Sequence, residues 1–155
     1  GDVDAFLIAT GANITHGGDR AFYRPSTDAI TLPVRDAFKT SHDYYATSFH
    51  ELTHWTGANA RSERPKLSKQ FGDVAYAAEE LVAELGAAFL CAHFGLSMEP
   101  RPDHAAYLSH WLGMFKASPN AIFLAAGEAQ RAVDYLLKRA GISVETADNL
   151  EERAA

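Results

Sequence analysis

The run His50-Glu51-Leu52-Thr53-His54 constrains this chain more than any other stretch. On a helix, residues four apart differ by roughly 40° of rotation, so His50 and His54 stack on one face and can aim two imidazole nitrogens at one ion. Glu51 stands beside the first histidine, where its carboxylate can act on an attacking water instead of on the metal, as a general base for peptide hydrolysis must. The flanking pattern predicts a helix from Ser41, capped by Ser41 or Asp43 and stopped by Gly57. Tyr45, Phe49 and Leu52 form its packing side, and the small Ala46 and Thr47 share the histidine side.

A catalytic zinc site takes three protein ligands, so a third must come from elsewhere. A second helix, predicted over Asp73 to Phe94, offers Glu79, Glu80 and Glu84. With Leu81 as the zero of a wheel at about 100° per residue, Val74, Ala77, Ala78, Leu85, Ala88, Phe89 and Ala92 form the buried stripe. Glu79 points away from it. Glu80 and Glu84 flank it, beside Ala83 and Ala87, which are small enough to admit another helix. Glu80 is assigned as the third ligand and Glu84 as the carboxylate that holds a ligand imidazole by its other ring nitrogen. The reverse order has the same phase. Glu80-Leu81-Val82-Ala83-Glu84 resembles the thermolysin-like, or Glu-zincin, arrangement of a ligand Glu with an acid four residues on, with Glu here where Asp is commoner.

Before this helical part, Val3 to Ala9 reads as a short helix and three short runs, Asn13 to His16, Ala21 to Arg24 and Asp28 to Leu32, read as strands. Gly17-Gly18-Asp19 and Pro25-Ser26-Thr27-Asp28 supply turn signals, and together they predict a small antiparallel meander. After it, a third helix is expected from about Asp103 to Lys116 and a fourth after Ser118-Pro119, interrupted at Gly127 and ended by Gly141. The tail Ser143 to Ala155 is polar. The expected class is α+β: a small antiparallel sheet packed on an active-site helix, with a mainly helical C-terminal half.

At 155 residues and 47% hydrophobic, the chain has the size of a single domain, 1–155, and its opening without Met suggests a piece of something longer. One cysteine, Cys91, rules out an internal disulfide or a Cys-rich zinc knuckle and favours a cytoplasmic setting. No apolar run approaches the roughly 20 residues of a spanning helix. A net charge of −6 argues against nucleic-acid binding by bulk electrostatics. The local exception, Ala60 to Gln70 with Arg61, Arg64, Lys66 and Lys69, reads as a solvated loop. His16, His42, His93, His104 and His110 lack partners at ligand spacing and read as structural or surface residues. Tyr44, Tyr45, Tyr76 and Tyr107 are candidate hydroxyl donors to an oxyanion but read better as packing residues, as do Trp55 and Trp111.

Three segments carry a family resemblance: Phe49 to Gly57 with Glu79 to Ala92, Ala9 to Ala12 with His16 to Tyr23, and Arg101 to Tyr107. Over nearly its whole length the chain resembles the metallopeptidase domain of the ArdC-type antirestriction family, which also occurs at the front of plasmid conjugation primases. The resemblance implies a zincin-like fold, metal ligands at His50, His54 and an acid of the second helix, and Glu51 as catalytic acid/base. It implies a bacterial, mobile-element context and a preceding single-stranded-DNA-binding domain, through which alone such DNA would be a partner. The peptide or protein substrate is not implied. Two imidazoles and a carboxylate suit zinc best and accept manganese or another divalent transition metal. Two functions follow: a zinc peptidase, or a non-proteolytic, metal-stabilised module of a DNA-protecting protein.

Overall fold

The computed structural model describes residues 1–58, 60–64, 71–97 and 105–143, with the backbone alone for 105–107. The elements run α1 (Asp2–Ala9), β1 (Asn13–His16), β2 (Phe22–Arg24), β3 (Ala29–Leu32), α2 (Ser41–Thr56), α3 (Ala75–His93), α4 (Ala105–Ala117) and α5 (Ala121–Arg139). Short 3₁₀ turns at Arg35–Ala37 and Gly72–Val74 lead into α2 and α3. The class is α+β, as the sequence predicts.

The sheet is mixed, not an antiparallel meander. Its order is β1-β3-β2, with β1 parallel and β2 antiparallel to β3. The Pro25 to Asp28 turn does close a hairpin, and Asp28 sits at φ 51°, a left-handed conformation that Asp tolerates in turns. The Gly17-Gly18-Asp19 segment instead steps over the position that β3 fills. Burial explains the order: Ile30 and Leu32 are fully buried, whereas β1 is largely exposed, so the most apolar strand takes the centre.

The side chain of Thr40 caps α2 by accepting from the Asp43 backbone N–H at 3.0 Å, so the cap is neither Ser41 nor Asp43 as predicted but the residue before Ser41. From Tyr44 to Thr56, α2 is buried on nearly every side, with Phe49 and Leu52 at 0% exposure. Each of those two contributes about 2 kcal/mol by leaving water. Phe6, Ile30, Leu32, Phe49, Leu90 and Leu136 belong to one core, joining α1, the sheet, α2, the end of α3 and the end of α5. A second core collects Ala77, Leu81 and Val82 of α3 with Trp111 and Met114 of α4 and Ala121 and Ala125 of α5.

Helix α3 therefore belongs to both cores, and its buried face turns along its length. Ala77, Ala78 and Leu81 fit the predicted stripe, but Ala83, Gly86, Ala87 and Leu90 are also buried and Ala92 is exposed. A single-stripe wheel describes a helix on a surface; α3 lies between α2 and α5. Gly127 does not interrupt α5, whose interior it occupies, and Gly141, at φ +78°, follows its end. The expectations for Pro102, Asp103, Lys66, Lys69 and His104, and for the tail beyond Ser143, fall outside the described residues.

Candidate metal centre

The site is a contact between two helices. Gly86 of α3 faces Thr53 of α2 so closely that a Cβ there would lie 2.5 Å from Thr53 Oγ1 and 2.7 Å from its Cγ2. With Ala83 and Ala87 beside it, this brings the backbones near enough for short carboxylate side chains to reach the α2 imidazoles. Thr53, inside the motif, turns its own hydroxyl back to the Phe49 carbonyl at 2.8 Å, so its oxygen is satisfied within the helix.

His50, His54 and Glu80 come together, each offering a ligand atom within 4.8 Å of the others. The two Nε2 atoms are 3.2 Å apart. Glu80 spans them, with Oε1 2.8 Å from His50 Nε2 and Oε2 3.1 Å from His54 Nε2. Glu84 lies on the other side of His50, its Oε1 2.5 Å from Nδ1. Each acid of the Glu80/Glu84 pair thus meets a different nitrogen of the same ring.

Glu79 departs from the sequence reading. It lies against the site, with Oε1 3.3 Å from His54 Nδ1. The wheel turned it outward because a wheel knows only the helix, and here a loop covers that flank. Arg64 from that loop donates Nε to Glu79 Oε2 at 2.7 Å and Nη2 to Glu79 Oε1. Arg61 is likewise sequestered, with its guanidinium 3.9 Å above the Trp55 ring, Nε donating to the Trp55 carbonyl at 2.7 Å and a paired contact to Asp28. The described part of this basic segment is therefore no solvated loop: its two arginines bind the end of α2 to the β2–β3 turn and to α3. The available signal was the opposition of a basic segment to the acids that open α3.

With Nδ1 of each ring facing a carboxylate, Glu84 for His50 and Glu79 for His54, both rings are set to carry their proton on Nδ1. In that tautomer two Nε2 lone pairs and a carboxylate converge, an arrangement that calls for positive charge, which a cation would supply and which protons on the rings supply without one. The donor set is that of a two-His, one-Glu catalytic zinc site, and the residues fit such an ion. The electrostatics agree. Burial disfavours charge on His54, yet hydrogen bonds to Glu79 and Glu80 outweigh it and raise it to about 10. His50 is raised as well, against its burial, by Glu80 and Glu84. Glu80 is held well below the usual carboxylate range, since its contacts with the two histidines exceed the cost of burial.

Glu51 is 5% exposed and, with His50, His54 and Glu80, lines one wall of a cleft of about 930 Å³. Phe22 and Tyr23 of the edge strand β2 and Tyr76 at the start of α3 line it too. Tyr76 meets Nε2 of His110 at 2.7 Å, whereas Tyr44 is buried beside His16 and the half-buried Tyr45 donates its hydroxyl to Asp4. The side chain of Tyr107 lies outside the described set. Trp55 and Trp111 pack as expected, the indole N–H of Trp111 donating to the Ala77 carbonyl at 2.8 Å. His42 bonds Ser97 at 3.0 Å and His93 packs against Phe94, away from the cluster.

The family described as zincin-like metallopeptidase matches residues 1–128. Among curated proteins, the chain is 44% identical over 133 residues to the uncharacterised protein y4eC of Sinorhizobium fredii, covering 86% of this chain and 43% of that one. It is 48% identical over 132 residues to the DNA primase TraC of Escherichia coli, covering 84% of this chain and 9% of the primase. Among solved structures, the metal-free antirestriction ArdC protein of plasmid R388 superposes with a TM-score of 0.80 at 42% identity, covering 92% of this chain and 52% of ArdC. The Mn(II)-bound form of ArdC gives 0.79 at 43% identity, covering 90% and 52%. The chain thus spans less than half the length of these curated relatives and about half of ArdC. The His/His/Glu cluster and a relative solved with Mn(II) both point to a divalent metal. The family match takes in every strand and both helices that meet at His50, and the chain therefore belongs to the zincin-like metallopeptidase family.

Proposed function

We propose that this chain is the metal-dependent peptidase domain of an antirestriction or plasmid-transfer protein, with zinc as the resident ion and His50, His54 and Glu80 as its ligands. The observation that carries the reading is the convergence of two Nε2 atoms and one carboxylate beside Glu51 on a cleft wall. When bound, a divalent cation there would polarise the scissile carbonyl and make the attacking water more acidic. Glu51 accepts a proton from that water as its oxygen bonds to the carbonyl carbon. It returns the proton to the amide nitrogen as the C–N bond breaks, so the carboxylate is regenerated. Glu84 and Glu79 hold the imidazoles. The likeness to ArdC of plasmid R388 and to TraC supports a mobile-element setting; we further propose a cytoplasmic location, with single-stranded DNA engaged only outside this segment.

The test is Glu51→Gln, assayed on denatured casein and a random-peptide library beside metal content and melting temperature. The expected outcome is unchanged metal and fold with cleavage reduced by about 10²–10⁴-fold. Equal cleavage by the variant overturns Glu51 as the base.

One observation favours a second reading, in which the ion chiefly stabilises a DNA-protecting module. His50 at 3% and Glu84 at 7% exposure lie in the α2–α3 contact itself, so an ion there would staple two core helices. That reading expects Glu51→Gln to leave DNA protection intact while His50→Ala lowers the melting temperature. Loss of protection in Glu51→Gln alone counts against it.

A further inference from the structure

The mechanism leaves Arg64, the buried cation paired with Glu79, without a part. The Arg64 side chain is 3% exposed. Besides its two-pronged contact with Glu79, it donates Nη1 to Thr56 Oγ1 at 2.8 Å and Nη2 to the Thr53 carbonyl at 2.9 Å. Thr53 and Thr56 lie in the last turn of α2, the turn that also carries His54. One guanidinium therefore ties the His54 turn to the carboxylate facing His54 Nδ1.

Capping the end of α2 is one use for a cation there, since the last carbonyls of a helix lack partners within it. That accounts for the Thr53 contact and not for the planar, paired grip on Glu79. The two imidazoles differ in how their supporting acids are held. Glu84, 7% exposed, is fixed by the helix contact around it. Glu79 lies at the cleft, its side chain 30% exposed, and there a glutamate has several rotamers open to it. A two-pronged arginine fixes the plane of a carboxylate as a lysine cannot. Four carboxylates, Glu51, Glu79, Glu80 and Glu84, also crowd the two histidines, and Arg64 compensates the one that faces His54 Nδ1.

We propose that Arg64 is a positioning residue of the metal centre, acting through Glu79 to hold His54 with its proton on Nδ1 and its Nε2 turned toward His50 and Glu80. The inference rests on the metal-site reading above. Its test uses the full chain with Co²⁺ as the probe, because the visible bands of the ion report its coordination. Affinity, spectrum and apoprotein melting temperature are measured for wild type, Glu79→Gln, Arg64→Lys, Arg64→Gln, the Glu79→Gln/Arg64→Gln double variant and His54→Ala.

The expected result is Co²⁺ binding weakened about tenfold or more in Glu79→Gln and in both Arg64 variants, with altered bands. The double variant should be no worse than the weaker single one, because both substitutions break one chain of contacts. Wild-type affinity and spectrum in Glu79→Gln, or in Arg64→Lys, overturn the proposal whatever happens to the melting temperature. Should Arg64→Gln not fold, the near-isosteric Glu79→Gln still decides. Undiminished binding in His54→Ala sinks the metal-site reading itself, whereas loss in His54→Ala beside an unchanged Glu79→Gln sinks only the role of Arg64.

Discussion

Cys91 lies on α3 one turn beyond Ala87, 1% exposed, and burial alone pushes its thiol up to about 11. A thiol so shielded is neither nucleophile nor ligand at neutral pH. We expect a thiol-reactive chromophore to leave Cys91 untouched in the folded protein and to label it fully in denaturant; prompt labelling of the native chain would contradict this burial. Other residues show how far single positions can be read in advance. Glu80 and Glu84 could be placed near His50 because both helices are regular and helical phase fixes direction. Glu79, one residue away, could not, because its position depends on Arg64 reaching it across a loop. No periodicity encodes that contact.

Between elements, the distance from α2 to α3 decides whether the site exists, and Gly86 sets it. A methyl group there would collide with Thr53, whose Cβ, Oγ1 and Cγ2 all lie within 3.1 Å of the built position. Gly86→Ala should therefore cost about 1–3 kcal/mol in denaturant unfolding, the usual penalty for overpacking, and weaken metal binding with it. Adding Thr53→Ala removes the two nearest atoms and should recover part of both losses; no recovery would mean that the contact does not set the spacing. The helices and strand runs were legible because turn residues and apolar spacing mark them locally. The strand order was not, since it depends on which strand the core covers, and neither was the turning face of α3, which depends on having neighbours on two sides.

Across the whole molecule, the metal centre and the cores share α3, so occupancy should be felt globally. Without metal, His54 carries a raised value in the folded chain against an ordinary 6.5. The favourable term this represents is complete below about pH 6.5 and fades as pH rises toward about 10. His50 shifts in the same direction. Metal binding displaces those protons and grows stronger over the same interval. The gap in melting temperature between zinc-loaded and chelator-stripped protein should therefore widen from pH 6 to pH 9, as scanning calorimetry can check; a constant gap would exclude coupled proton release.

The strand order has one more effect. With β3 in the centre, β1 and β2 are both edges among the described residues, each offering unpaired backbone groups to any passing strand. Both are short, at 4 and 3 residues, and β1 exposes Asn13, Thr15 and His16, with no long apolar ribbon to template growth. Arginines at Arg20 and Arg24 flank the other edge, each over the Phe22 ring. A sheet finished this way resists fibril-like stacking of copy on copy.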